Sequence, residues 1–221
     1  MMFRALAMSL VVLLAACSVQ EFPNDHKVDP VAGARDRVAI AAEYLQKGDN
    51  ERAQTHLRKA LELDEKSAEA HNLMAILLER ESDPKGADKH YRRAIKLRSD
   101  FSQAQNNYGV FLFKRGQYKA AAEHFELAAG DIGYPMRAAA FEGLGRTSMK
   151  LKDPERAEKA FQRALRIDSN MPGVSLELAD LYFEQQNLDA ARAYYQRFLK
   201  LTESQSQTPR SLWLGIRIER H

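Results

Sequence analysis

Residues 87–94 have the sequence ADKHYRRA, and residues 121–128, which lie 34 positions later, have the sequence AAEHFELA. Both stretches carry alanine at each end and a large aromatic residue four positions after the first alanine. The same spacing recurs along most of the chain, beginning at Ala53, Ala87, Ala121, Ala157 and Ala191. Residues spaced by three, four and seven positions lie on one face of a helix. Each stretch is therefore predicted to be a helix with a buried stripe.

A second set of small residues lies twelve positions before these alanines, at Ala41, Ala75, Gly109, Gly145 and Ala179. The large residues of the first set are Leu57, Tyr91, Phe125, Phe161 and Tyr195. Turn-forming residues separate the two sets in every repeat. A helix, a turn and a second helix within about 34 residues resemble the tetratricopeptide repeat (TPR), in which helix pairs stack on one another. An all-α solenoid of five full repeats is therefore predicted.

The repeats are predicted to occupy residues 34–67, 68–101, 102–137, 138–171 and 172–203. The third is two residues longer, and residues 130–135 (GDIGYP) contain enough turn formers to absorb the addition in a loop. Residues 204–221 are predicted to contain a linker and the first helix of a partial sixth repeat, which carries Leu214 and Gly215. Solenoids normally end in a polar cap. This apolar helix is expected either to cap repeat five or to belong to a longer protein, and we favour the second.

The N-terminus has the pattern of a secretory signal. Residues 1–16 contain one positive charge, Arg4, and then an apolar run that is too short to span a bilayer. The run ends in LAAC at residues 14–17, which resembles the lipobox of bacterial lipoproteins. The resemblance implies cleavage before Cys17, acylation of this residue, which is the only cysteine of the chain, and a tether over residues 17–33. Lipoproteins held at the inner membrane typically carry aspartate directly after the cysteine. Because Ser18 stands at that position, the resemblance favours the outer membrane, on its periplasmic face. The alternative is an incidental cysteine in an apolar segment.

No pattern in the sequence indicates catalysis. A Gly-rich phosphate loop, paired metal-type cysteines and a His-Glu-x-x-His motif are all missing. His56, His90 and His124 recur every 34 residues, but equivalent positions on stacked repeats are about 10 Å apart. Nitrogen ligands of one metal ion would have to approach to roughly 3–4 Å. No catalytic residue, metal, cofactor or small-molecule substrate is predicted. The net charge of +3 is too small to indicate nucleic-acid binding.

A basic residue recurs at one position of the second helix in four repeats, as Lys59, Arg93, Arg163 and Arg197. A solvated outer face that was inherited by duplication is the simpler interpretation. The alternative is contact with an anionic surface, of either lipid or cell wall.

The resemblance to TPR arrays implies a concave groove lined by the first helix of each repeat. The residues predicted to bind a partner there are Val38, Leu45, Asn72, Ile76, Asn106, Val110, Phe113, Met149, Leu176 and Phe183. Most of them form an apolar track, which a lone soluble domain has little reason to expose. The two asparagines can donate to and accept from a partner's backbone. Such a groove suits an extended or helical peptide. The alternative for any one residue is packing against a neighbouring repeat.

These features together resemble the TPR lipoproteins of type IV pilus biogenesis, PilF or PilW, which act as pilotins. The resemblance is carried by the Cys17 lipobox and by residues 42–49 (AEYLQKGD), 106–109 (NNYG), 130–135 and 208–211 (TPRS). It implies a protein that brings the secretin subunit to the outer membrane and promotes its multimerisation, supporting twitching motility. The alternative is another periplasmic TPR lipoprotein scaffold, such as a cell-wall hydrolase adaptor or an outer-membrane protein assembly factor.

Overall fold

The computed structural model describes residues 29–202 and 208–220, which form eleven α-helices and contain no strand. The helices are α1 Pro30–Gln46, α2 Asn50–Leu63, α3 Ala68–Arg80, α4 Pro84–Leu97, α5 Ser102–Lys114, α6 Tyr118–Gly130, α7 Arg137–Lys150, α8 Pro154–Ile167, α9 Pro172–Glu184, α10 Leu188–Leu201 and α11 Pro209–Glu219. No helix within these described ranges is both long and apolar enough to cross a bilayer. The predicted signal peptide and Cys17 lie outside the described residues.

The first ten helices pack as five consecutive pairs, and α11 follows them as the first helix of a sixth. Each second helix also contacts the first helix of the next pair. The first helices touch one another as well, α1 with α3, α3 with α5, α5 with α7 and α9 with α11, whereas consecutive second helices make no comparable contact. The first helices therefore form the inner layer of a curved stack. The predicted solenoid of five full repeats and a partial sixth is confirmed, although α1 begins at Pro30, four residues before the predicted start of repeat one.

The turn inside each repeat recurs with the same period as the alanines. One residue in each turn has a left-handed backbone, at Gly48, Ser82, Gly116, Lys152 and Gln186. In four of the five repeats the following residue caps the second helix, since the side chains of Asp49, Asp83, Asp153 and Asn187 each accept a hydrogen bond from a backbone N–H three residues later. A side-chain oxygen at this position satisfies an otherwise unpaired N–H of the first helical turn. These caps fix the start of the second helix in those four repeats, whereas α6 begins after Gln117 without a side-chain cap.

The large residue of each second helix packs against the small residue of its first helix. Phe125 and Phe161 are almost completely buried in this way. The ring of Phe161 lies so close to Gly145 that an added Cβ would overlap it, and the ring of Phe125 fills the space beside both Gly109 and Gly143. Glycine therefore stands opposite phenylalanine because the ring occupies the volume that a methyl group would need.

We expect Gly145→Ala to destabilise the protein by about 1–3 kcal/mol, because the buried ring of Phe161 has no room to move aside. The melting temperature should fall by roughly 2–4 °C for each kcal/mol in a chain of this size. Gly173→Ala is the matched control, since its Cβ would meet only ordinary contacts with Arg146 and Glu142. Equal melting temperatures for the two variants in thermal circular dichroism would contradict this packing argument.

Candidate partner-binding groove

The inner layer presents an apolar strip that is centred on α5 and α7. Val110 and Met149 are 37% and 38% exposed, and Val38, Ile76 and Phe113 are half-buried. Phe113 lies one helical turn beyond Val110 on α5. It lines the same cleft as Met149, the residue at the equivalent position of α7. These side chains lie on four consecutive first helices, α1, α3, α5 and α7. They form the part of the predicted track that is accessible to a partner.

The exposure predicted for four groove residues is wrong. Leu45, Asn72, Leu176 and Phe183 retain 9% or less of their surface. Leu45 packs in the core with Leu57 and Leu77. Leu176 and Phe183 belong to the core cluster that joins repeat five to α11. A repeat period places all these residues on the inner helices, but how closely the next helix approaches decides whether each one is covered.

The two predicted asparagines differ in their contacts. The Oδ1 of Asn72 accepts a hydrogen bond of 3.1 Å from Nδ2 of Asn107, so this residue bonds α3 to α5. Asn106 is half-buried, and its Oδ1 has no hydrogen-bond partner among the described residues. An unpaired buried acceptor is costly. The protein itself covers this acceptor of Asn106, and Asn72 uses its acceptor within the fold, so neither amide oxygen lies open to a partner.

A charged network that was not predicted from the sequence follows the apolar strip. Arg210 of α11 donates to Glu177 at 2.8 Å and to Asp180 at 2.9 Å, both on α9. Arg146 of α7 lies 2.9 Å from Glu142 and 3.5 Å from Glu177. The hydrogen bonds to Glu177 and Asp180 raise the pKa of Arg210, so the side chain stays charged. The network links three successive first helices.

Part of this network borders a cleft of about 540 Å³. Its lining residues are Phe113, Arg146, Met149, Lys150, Glu177, Asp180 and Arg210. The cleft joins the end of the apolar strip to the charged groups, so a ligand that occupied it would meet both kinds of surface.

Beyond the charged network, α11 exposes a second apolar surface. Leu212, Trp213 and Ile216 are 49%, 60% and 44% exposed. The signal for them was present in the sequence, because Leu214 and Gly215 match the large–small pair of the earlier repeats. That register places Leu212 and Ile216 at the positions that face the groove in the other first helices. The groove therefore continues onto the sixth repeat.

The described part of the chain offers no cluster of three histidine, cysteine, aspartate or glutamate residues that could hold a metal ion. The predicted lipidation site, Cys17, lies in the residues that the structure does not describe.

Comparison with known proteins assigns the chain to a family. Models described as tetratricopeptide repeat match residues 72–135 and 148–205, and a model described as TPR repeat matches residues 41–81. The chain is 38% identical over 216 residues to the type IV pilus assembly protein PilF of Pseudomonas aeruginosa, a match that covers 97% of this chain and 84% of the relative. The chain belongs to the PilF family of type IV pilus assembly proteins.

Solved structures agree with this assignment. The structure from a functional characterisation of Pseudomonas aeruginosa PilF superposes with a TM-score of 0.81 over 86% of this chain and 85% of that one. PilW, described as a widely conserved type IV pilus biogenesis factor, is 25% identical, with a TM-score of 0.74 over 85% of this chain and 84% of its own. The resemblance to PilF and PilW expected from the sequence is confirmed. These relatives are TPR proteins of pilus assembly, which fits a groove for a protein partner.

We expect Arg210→Gln to loosen α11 in this PilF family member, because the two carboxylates on α9 lose their shared cation. Exposed ion pairs contribute modestly to stability. The rate of amide hydrogen exchange in α11 should therefore rise by roughly fivefold, which corresponds to a loss of about 1 kcal/mol in the free energy of local opening. Arg192→Gln is the control, since Arg192 pairs only with Asp189 on its own helix. Exchange in α11 that is equally fast in both variants would show that the network does not hold the helix.

Proposed function

We propose that this protein is an outer-membrane lipoprotein that binds the secretin subunit of the type IV pilus. In this proposal it brings that subunit to the outer membrane and promotes its assembly into a multimer, which supports twitching motility. Membership of a pilus assembly family supports the pathway. The choice of secretin as partner rests on the sequence resemblance to pilotins.

The observation that carries the proposal is the exposed apolar strip of the groove. Val110 and Met149 each keep more than a third of their surface accessible, on helices whose opposite faces are fully buried. Contiguous exposed apolar surface on a stable scaffold is typical of a binding site. Val110 and Phe113 lie one helical turn apart on α5. Side chains at this separation can contact residues on successive turns of an amphipathic helix or alternate residues of an extended strand. Met149 is flexible, so it can adapt to either.

A membrane anchor at Cys17 would give this groove its location. Residues 18–29 would separate the anchor from the start of α1, and an extended chain of that length reaches at most about 40 Å. The groove would then stay close to the membrane in which a secretin must assemble. Several acyl chains on one cysteine would hold more firmly than the single chain that gives only marginal binding.

The groove is tested by Val110→Glu together with Met149→Glu. A charge on each side of Phe113 should weaken secretin binding at least tenfold, because buried apolar anchors dominate such interfaces. Leu127→Glu is the matched control, since Leu127 is 58% exposed on α6, outside the groove. Binding can be measured by surface plasmon resonance with purified secretin domains, and circular dichroism checks that the helices persist.

The cellular role is tested in the same variants. Cells that carry the groove double variant should lose SDS-resistant secretin multimers from the outer membrane and should lose twitching motility, whereas Leu127→Glu cells should keep both. Normal multimers in a deletion strain would reject secretin as the partner. Such a result would favour a scaffold for other periplasmic proteins.

The anchor is tested at Cys17. Mass spectrometry of the membrane-extracted protein should find Cys17 as the acylated N-terminal residue. Cys17→Ser should release the protein from the membrane fraction without changing its melting temperature, because the folded repeats begin at residue 30. An unmodified Cys17 in a protein that still begins at Met1 would exclude lipidation.

A further inference from the structure

A cleft of about 360 Å³ lies away from the groove, between α3 and α4 of repeat two. It is lined by His71, Lys89, His90, Arg92, Arg93 and Lys96. The four cations are exposed. Arg92 pairs with Asp88 at 2.8 Å, whereas Lys89, Arg93 and Lys96 have no ion-pair partner among the described residues. The cleft therefore has a concentrated positive charge that the fold does not neutralise.

The fold does not require these charges. The residues of α4 that pack in the core are Ala87, Tyr91 and Ala94, on the opposite face of the helix. Repeat three has the same framework, but its equivalent positions are Glu123, Glu126, Leu127 and Gly130. Its own cleft beside Gln105 and His124 is lined by Asp100 and Asp131 and by no lysine or arginine. The charges at these positions are therefore not set by the packing framework that the two repeats share.

The floor of the basic cleft is a hydrogen-bonded histidine pair. Nδ1 of His71 lies 2.9 Å from Nδ1 of His90, and Nε2 of His71 lies 3.2 Å from the carbonyl oxygen of Glu65. A carbonyl can only accept, so Nε2 of His71 donates to it, and the neutral His71 then accepts from His90. Repeat three has the same order of donors, since Gln105 donates to Ser99 and accepts from His124. Neutral His90 is left with an unprotonated Nε2.

We propose that this cleft binds a phosphate group, carried either by an anionic lipid headgroup or by a soluble phosphate ester. Lys89, Arg93 and Lys96 supply three donors that pair with no carboxylate within residues 29–202 and 208–220. A proton taken up at Nε2 of His90 adds a fourth donor, while Nδ1 of the same ring keeps its bond to His71. Phosphate binding is therefore coupled to the uptake of one proton.

The charges around the histidine pair determine whether the anion binds more tightly or more weakly as the pH falls. Burial, His71 and Lys89 lower the pKa of His90 to about 4, and Asp83 opposes them. Burial and Arg93 lower the pKa of His71, while the Glu65 carbonyl and Asp64 oppose them. A bound anion favours the charged imidazole and so raises the pKa of His90. By linkage, the anion binds more tightly as the pH falls.

The test uses the full chain with Cys17→Ser, so that no acyl chain contributes, and inorganic phosphate or sulfate at constant ionic strength. The imidazole NMR signals of His71 and His90 should shift in a saturable way. Arg93→Gln with Lys96→Gln should weaken binding at least tenfold, since hydrogen bonds between charged groups are stronger than those between neutral groups. Arg58→Gln with Lys59→Gln, at the positions of repeat one that are equivalent to Arg92 and Arg93, also removes two positive charges from the outer face and is the control, which should bind as the parent does.

The proton coupling is tested with sulfate, whose own charge is constant between about pH 5 and pH 8, the range in which histidines titrate. Sulfate affinity should increase as the pH falls in the parent protein. His90→Asn keeps a donor toward His71 and should remove this dependence on pH.

Vesicles identify the source of the phosphate. Cosedimentation with phosphatidylglycerol vesicles, but not with phosphatidylcholine vesicles, that is lost in the Arg93→Gln, Lys96→Gln variant would identify a lipid headgroup. Binding of inorganic phosphate without vesicle binding would identify a soluble phosphate ester. The proposal is overturned if histidine signals do not shift in a saturable way, or if both double variants lose affinity equally. None of these readouts depends on secretin, so they are independent of the groove.

Discussion

The structure depends on one packing contact, the insertion of a large side chain of each second helix into the space left by a small residue of its first helix. Phe161 against Gly145 is one tight example, and Phe125 between Gly109 and Gly143 extends the same contact into the next repeat. Where the large residue is a tyrosine, its hydroxyl also finds an acceptor, as Tyr91 does at Glu79 and Tyr195 at the carbonyl of Ser211. This contact sets the distance between helices, and through it the shape of the inner surface.

Because the same few positions hold every repeat together, the remaining positions are free to differ. On the inner layer this freedom gives an apolar strip at Val110 and Met149, followed by ion pairs around Glu177. On the outer layer it gives a basic cleft in repeat two and an acidic one in repeat three. The surfaces for which functions are proposed therefore lie where the repeats are least alike.

In the proposed mechanism the folded repeats and the N-terminal segment have separate physical tasks. The helices bury their apolar residues in three successive core clusters between α1 and α11, which half-buried Leu78, Tyr182 and Tyr194 link to one another. In this mechanism the acylated N-terminus holds the protein at the membrane, and the groove binds the partner. Neither part takes part in the task of the other. A partner held in this way would gain from being kept near the membrane as well as from the contacts themselves.

The sequence by itself determined the repeat, the number of helix pairs and the family, because regular spacing and family resemblance are properties of the residue order alone. It placed ten residues on the inner helices, but it did not separate Val110, which is exposed, from Leu45 or Phe183, which are buried. Only the tertiary structure decided that, since burial depends on how near the next helix lies, and a period in the chain carries no information about that distance. The same reason applies to Arg210 with Glu177 and to His71 with His90. These residues are far apart in sequence or belong to different helices, and only the stacking of the helices brings their polar atoms within bonding distance.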